Sequence, residues 1–327
     1  MKVLITGATG FVGLALVDSL VKASYDVTAV VREYSSILRE DVVQVAGCDL
    51  KELSSSSSLF QNKIKQTLQD VDVVIHLAAR VHVMNDNSVD PLTEFRAVNC
   101  DVTLELARIA VNAGVKRFIF ISSVKVNGEM TALEKPFTPE DEFVPDDPYG
   151  LSKYEAEQGL LALAKEAGME VVIIRPPLVY GPGVQANFAS MMKWVNRGVP
   201  LPFGAIHNQR SLVALDNLVS FILHCIDHTQ AANEVFLISD GEDVSTSELL
   251  RKVAKAFGKQ ACLVPVPMSW MSFAARLIGK GDVANRLFGS LQLDSSKARD
   301  LLGWKPEITM DEQLQKTADA YLHEKTI

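Results

Sequence analysis

Tyr149 and Lys153 stand four residues apart in "PYGLSKYEAE". On a helix this spacing puts both side chains on one face, about one turn apart. A phenol titrates near pH 10, so a working phenolate at neutral pH needs positive charge beside it. The Lys153 ammonium supplies such charge, and a second cation from a bound group would add to it. Together they are expected to lower the phenol by roughly three units, on the order of 4 kcal/mol. Upstream, "IFISSVKVNG" carries Ser122 and Ser123 at the end of an apolar run. The three groups read as Tyr149 general acid/base, Lys153 its electrostatic partner and Ser123 the hydroxyl that holds a substrate oxygen. A lone Y-x-x-x-K is common on exposed helices, so this reading depends on its surroundings.

The N-terminal stretch "VLITGATGFVG" supplies that context. An apolar run enters Gly7, Gly10 and Gly13 and a helical pattern follows, with Thr9, Phe11 and Val12 completing the turn. A φ > 0 turn, close backbone approach to a pyrophosphate and tight helix–strand packing each call for glycine, and the helix start offers unpaired N–H groups to an anion. The expected ligand is a nicotinamide dinucleotide, whose chemistry at a carbinol is hydride transfer. Two later strand ends point the same way. "CDL" brings Asp49 and Leu50, with Asp49 placed to accept from the adenine amino group, and "HLAA" brings Leu77, Ala78 and Ala79, small enough to leave room. Ordinary tight packing accounts equally well for the two alanines. Arg32 ends the second strand where a carboxylate would bind both ribose hydroxyls; a guanidinium there can hold a 2′-phosphate. NADP(H) is therefore expected over NAD, although Glu33 is adjacent and the glycine loop has no second cation. The alternative leaves Arg32 stacked on adenine or facing water.

These residues must be held by an α/β framework. Short β-branched runs ("KVLIT", "DVTAVV", "VVQVAG", "DVVIHLA", "KRFIFIS", "EVVIIRP") alternate with helical spacing at 11–22 and 94–113. This is the pattern of βαβ units in a Rossmann-type, doubly wound parallel sheet. After "RPPLVYGPG" the rhythm changes to helices near 187–197, 216–228, 246–257 and 311–323 with brief strands such as "EVFLIS". The expected organisation is a dinucleotide-binding domain over 1–180 and a smaller, mostly helical substrate-binding part over 181–327, with a crossing back of the chain left open.

Bulk properties exclude several classes. The 327 residues are 48% hydrophobic, enough for a sizeable core, and the net charge of −8 disfavours nucleic acid as a partner. Four scattered cysteines without a C-x-x-C pair, and no secretory pattern or apolar run near eighteen residues, suggest a cytoplasmic protein without a membrane span. "SSSSS" at 54–58 reads as an exposed loop and helix cap. His224 and His228 lack a third ligand, so no metal is expected. His76 reads as structural, and Trp194, Trp270 and Trp304 as packing residues.

Together, "TGATGFVG", "CDL", "HLAA", Asn99 in "AVNCDVT", "ISSVKVNG", "YGLSK", "RPPLVYGPG" and "LGWKP" resemble, in order and over nearly the whole chain, the extended short-chain dehydrogenase/reductases, and within them the nucleotide-sugar epimerases, dehydratases and reductases. The resemblance implies that Asn99 and Pro176 join the cofactor site and that Lys153 also holds the nicotinamide ribose. It places Asn187, the "LPFG" segment with Leu201 and Phe203, and Arg210 on the nucleotide and diphosphate of a UDP-sugar, with Lys125 among the substrate-binding residues. It further implies a homodimer through the helices at 99–113 and 149–165, and a role in surface polysaccharide synthesis. Sugar 4,6-dehydratases of the family carry an acidic pair where this chain has Val124 and Lys125. Its usual aromatic is here Asn127. "SSVKVNGE" with "HLAARVHVM" is similar to a bacterial branch holding both UDP-glucose 4-epimerases and 4-keto reductases of the UDP-N-acetylquinovosamine type. The expected activity is the 4-keto reductase, with a UDP-glucose or UDP-N-acetylglucosamine 4-epimerase that keeps NAD bound as the alternative. A non-catalytic NAD(P)-sensing protein and a reductase of steroid or flavonoid-like ketones are the readings from other classes.

Overall fold

Strands that are apolar on both faces must be covered on both faces. The computed structural model, which describes residues 1–54, 58–81, 90–277 and 281–323, shows how this chain does so. The first part runs β1 (Lys2–Thr6), α1 (Phe11–Lys22), β2 (Asp26–Val30), β3 (Val43–Val45), α2 (Ser58–Thr67), β4 (Val73–His76), α3 (Pro91–Arg96), α4 (Val102–Ala113), β5 (Arg117–Ile121), α5 (Pro148–Ala167) and β6 (Glu170–Arg175). It continues through β7 (Leu178–Tyr180), α6 (Ala186–Asn196), β8 (Arg210–Ala214), α7 (Leu215–His224), β9 (Val235–Leu237) and β10 (Asp243–Val244). The remaining helices are α8 (Thr246–Ala256), α9 (Met268–Leu277), α10 (Gly281–Phe288), α11 (Ser296–Leu302) and α12 (Met310–His323).

Among the described residues seven strands form one parallel sheet in the order β3-β2-β1-β4-β5-β6-β9. Val3, Ile5, Ile119 and Ile121 face one apolar layer with α1 and α7, while Leu4, Phe118 and Phe120 face the other with α4 and α5. The strand order turns around between β1 and β4, which pair in register from Val3↔Val73 to Thr6↔His76. A crevice opens at the carboxyl ends of strands at such a switch point.

The expected boundary at 180 falls at the end of β7, and the chain crosses back beyond it. β9 pairs in parallel with β6, and Leu215, Leu218, Phe236 and Trp304 belong to the α1 face of the first core. Past 180, β8 and β10 join β7 in a small sheet, β10-β8-β7, that the sequence reading did not anticipate at 210–214. The helix expected over 94–113 is interrupted by a wider π turn at Ala97–Asp101 that carries Asn99 inward. Trp304 packs as expected, edge-on to Phe221 at 5.1 Å. Trp194 and Trp270 do not: they are 47% and 73% exposed, because helical periodicity cannot say which face of α6 or α9 is covered. Residues 55–57 of the serine run and 82–84 of "RVHVM" lie outside the described residues.

Candidate active site

The glycine turn is built for a close approach. Gly7 sits at φ +75°, and a Cβ there would lie 2.8 Å from the Ala78 nitrogen, so the strand-end backbone at Leu77 and Ala78 already touches it. At Gly13 a Cβ would fall 2.1 Å from the Gly7 carbonyl oxygen. No side chain caps α1 and its first turn holds no acid, which leaves the positive end of the helix facing the crevice. This cradle fits a pyrophosphate. Gly13→Val should destabilise the fold by about 1–3 kcal/mol through overpacking. It should also weaken NAD binding at least tenfold, both checked by thermal unfolding and calorimetric titration. Unchanged affinity would mean that the turn does not carry the dinucleotide.

The crevice has a volume of about 700 Å³. One end is walled by Thr9, Arg32, Asp49 and Leu50, the middle by Phe11, Val12, Leu77, Ala78 and Ala79, and the other end by Ser123, Tyr149, Lys153 and Pro176. Its length therefore runs from the adenosine side expected at Arg32 to the proposed reacting groups. Arg32 is exposed and borders an adjoining shallow pocket of about 430 Å³ with Glu33, Tyr34 and Ser35. Ser122 lines the wall beside Ser123, whereas sequence reading left out Arg80 and Pro177. Each adjoins a residue that was singled out, which was the available signal. The Ser122 hydroxyl is buried and has no hydrogen-bond partner among the described residues.

Helix α5 owes its placement to local chemistry. Asp147 caps it by accepting from the Gly150 N–H at 3.1 Å, Pro148 occupies the first turn, and Gly168 ends it in the left-handed region at φ +74°. Between these stops Tyr149 and Lys153 share a face. Ser123 follows β5 by two residues in an extended conformation, its Oγ accepts from the Lys125 N–H at 3.3 Å, and its hydroxyl is near enough to the Tyr149 phenol to act on its titration. The Phe95 ring packs edge-on against Tyr149 at 5.9 Å. The Lys153 ammonium is buried, donates to the Ile121 carbonyl at 2.9 Å and lies 4.3 Å from the Phe120 ring centroid.

Burial dominates the electrostatics. It pushes the Tyr149 phenol up to about 12; the Ser123 hydrogen bond pulls the other way and the Asp147 carboxylate adds to the rise. The lowering by roughly three units expected from sequence is thus not what the protein alone produces, because desolvation outweighs the Ser123 hydroxyl, the group that opposes it. Burial likewise pushes Lys153 down to about 7, opposed by Glu157. The pair is close to losing its cation at physiological pH, which makes the surrounding charges matter.

His76 is structural, as its position suggested, and its tautomer follows from its partners. Thr103 donates its hydroxyl to the Asn99 carbonyl at 2.8 Å, so at 3.0 Å it accepts from His76 Nε2–H. Nδ1 then accepts from the Thr6 hydroxyl at 2.6 Å. Burial, with the nearby Lys153, depresses the imidazole to about 3 and keeps it neutral.

Several expected contacts lie elsewhere. Asn99 sits behind the crevice wall: its amide accepts from the Arg80 N–H at 2.8 Å and donates to the Arg80 carbonyl at 3.1 Å and to Ser152 Oγ at 3.0 Å. It clasps the loop rather than lining the site, since the π turn draws it into the core. Lys125 also stays out of the wall, held by Glu129 at 2.7 Å and Asp147 at 3.0 Å. In the C-terminal part, Asn187 is exposed, Leu201 bridges Leu263, the Phe203 carbonyl accepts from Ser247, and Arg210 donates to the Gly289 carbonyl at 3.0 Å. None of these four lines the dinucleotide crevice. Within "VYGPG", Tyr180 is buried and donates to Asp240 at 2.8 Å, and Val179 faces the crevice beside the preceding Pro176 and Pro177.

Comparison with known proteins adds an independent line. A family model described as "NAD dependent epimerase/dehydratase family" matches residues 3–239. A UDP-glucose 4-epimerase of Vibrio cholerae is 50% identical over 323 residues, covering 98% of this chain and 95% of that protein. An N-acetyl-alpha-D-glucosaminyl-diphospho-ditrans,octacis-undecaprenol 4-epimerase of Escherichia coli O157:H7 is 27% identical over 342 residues, covering 99% and 96%. A solved structure of UDP-glucose 4-epimerase with UDP-glucose from Thermotoga maritima matches with a TM-score of 0.77 at 26% identity, covering 99% of this chain and 100% of that one.

Proposed function

The chain belongs to the NAD dependent epimerase/dehydratase family, and on that premise we propose that it is a 4-epimerase of a UDP-linked hexose or N-acetylhexosamine that keeps NAD bound through the cycle. The observation that carries this reading is the 50% identity, end to end, with the Vibrio cholerae epimerase. It favours the epimerase over the 4-keto reductase expected from sequence. The NADP preference drawn from Arg32 lacks support too: the guanidinium is exposed beside Glu33, and NAD is the cofactor of the family.

In this reading NAD, which the Gly7–Gly13 turn and the crevice wall would hold, would supply a reversible hydride acceptor for sugar C4. Tyr149 removes the 4-hydroxyl proton as the hydride leaves and gives it back as the hydride returns, so no net oxidation remains. Ser123 holds the C4 oxygen in both half-reactions, and the Lys153 cation stabilises the phenolate between them. Asn187, Leu201, Phe203 and Arg210 are assigned to the nucleotide and diphosphate in the C-terminal part. Elimination of water needs an acid after Ser123. This chain offers Val124, packed against Leu237, Leu291 and Leu293, and an ion-paired Lys125.

The deciding experiment is NMR of UDP-glucose, UDP-galactose and their N-acetylated counterparts incubated with the protein and NAD, with absorbance followed at 340 nm. Interconversion at C4 without net absorbance change is expected. Stoichiometric consumption of NADPH or NADH on a UDP-4-keto-6-deoxy-N-acetylhexosamine, without interconversion, would establish the reductase instead.

A further inference from the structure

Three segments build the reacting end of the crevice: α5 with Tyr149 and Lys153, the turn after β5 with Ser123, and the exit of β6 with Pro176. One buried guanidinium touches all three regions. Arg175, the last residue of β6, donates through Nε to both Glu157 carboxylate oxygens at 3.0 and 3.2 Å and through Nη2 to Oε2 at 2.6 Å. Its Nη1 donates to Asn127 Oδ1 at 3.0 Å. The Asn127 amide then donates through Nδ2 to the Thr138 carbonyl at 2.8 Å, so both ends of that side chain are used. Glu157, Arg175 and Asn127 are all buried. Backbone bonds tie the same pieces together: the Ser122 N–H donates to Ile174 at 2.8 Å and the Val124 N–H to Pro176 at 3.0 Å.

We propose that Glu157, Arg175 and Asn127 form a buried brace that positions the proton-transfer groups, locking the Tyr149 face of α5 against the Ser123 turn and setting the charge felt by Lys153. The assignment rests on the reading of Tyr149 and Lys153 as the acid–base pair. Glu157 lies one turn beyond Lys153 on α5, in line with Tyr149 and Lys153 at intervals of four residues. The charged or titratable groups facing Lys153 are thus Glu157 and Tyr149 on its own helix and the neutral His76 from β4, while β5 presents the Phe120 ring and the Ile121 carbonyl. Glu157 is the anion of this set, and Arg175 is its counter-ion. Asn127 suits its place chemically: an amide offers an acceptor to the cation and a donor to the carbonyl at once, which neither a carboxylate nor an aromatic ring provides. An apolar aromatic at this position would leave Arg175 Nη1 with only its longer contact to the Pro139 carbonyl at 3.4 Å.

The test uses Asn127→Ala and Glu157→Gln in the full-length protein, with steady-state kinetics across pH and NMR titration of the isotopically labelled Lys153 side chain. Asn127→Ala keeps every charge, and a brace predicts a roughly tenfold fall in kcat with KM within twofold, the pattern of an interaction that acts in the transition state. Glu157→Gln removes the anion that favours protonated Lys153. The Lys153 titration and the alkaline limb of kcat should both move to lower pH, by about one unit. Wild-type kcat and an unmoved Lys153 titration in variants whose melting temperature alone has dropped would reduce the network to structural support and overturn the proposal. If Glu157→Gln leaves an uncompensated buried guanidinium and fails to fold, Asn127→Ala carries the decision through its kcat and KM. Should the wild type fail to interconvert UDP-hexoses, the substrate reading fails; the Lys153 titration in the ligand-free protein still decides the brace.

Discussion

Tyr149→Phe should lower kcat for C4 interconversion by about 10²–10⁴-fold, the range for loss of a positioned general acid–base group. The change deletes one oxygen and keeps the ring, so the edge contact with Phe95 survives and NAD affinity should stay within a few-fold of wild type. Coupled turnover assays and calorimetric NAD binding separate the two effects. A variant that retains more than a tenth of wild-type kcat would remove Tyr149 from the proton transfer. The same substitution has a signature in stability. The folded phenol, pushed up to about 12 by burial, lies above its unfolded value near 10. The folded state therefore binds more protons between these limits, and stability that is fully present below pH 10 is lost as pH rises toward 12. The phenylalanine variant lacks that contribution, so its urea midpoint should fall less steeply over this window.

Lys153→Met should cost about 10²–10³-fold in kcat by removing the charge that stabilises the phenolate, while methionine fills much the same volume. Its effect on stability runs in the other direction. Burial depresses the folded ammonium to about 7, below its unfolded value near 10.5. The unfolded chain then binds more protons across this interval, so the contribution of Lys153 is present above pH 10.5 and lost as pH falls through 7, by on the order of 5 kcal/mol between the limits. Wild type should thus gain stability relative to Lys153→Met as pH is raised from 7 to 9.5, a comparison within reach of urea titration. Parallel curves for the two proteins would mean that Lys153 is charged and solvated in the fold, and its place as a tuned partner of Tyr149 would have to be given up.

The local parts of the fold and site were legible because short-range chemistry specifies them. Helical geometry alone puts Tyr149 and Lys153 on one face of α5. Gly7 and Gly13 announce a turn that tolerates no side chain, and Ser123 follows from its place at a strand end. Alternating apolar runs imply a covered parallel sheet. Residues on exposed or doubly interpretable positions were harder. Arg32 is a guanidinium at a strand end whichever dinucleotide binds, and Trp270 repeats with helical spacing on a face that happens to be uncovered.

What the amino-acid order by itself determined is the alternation of strands and helices in the parallel sheet and the candidate reacting side chains, since these depend on short spacings along one strand, turn or helix. Only the tertiary structure decided how those side chains are tuned. Arg175 meets Asn127 across 48 residues and Glu157 across 18, Asn99 grips the Arg80 backbone across 19, and His76 reaches Thr6 across 70. No periodicity encodes such pairings. Burial decided the rest: whether a phenol or an ammonium sits high or low depends on how much water the fold removes around it, and that is a property of packing rather than of any motif.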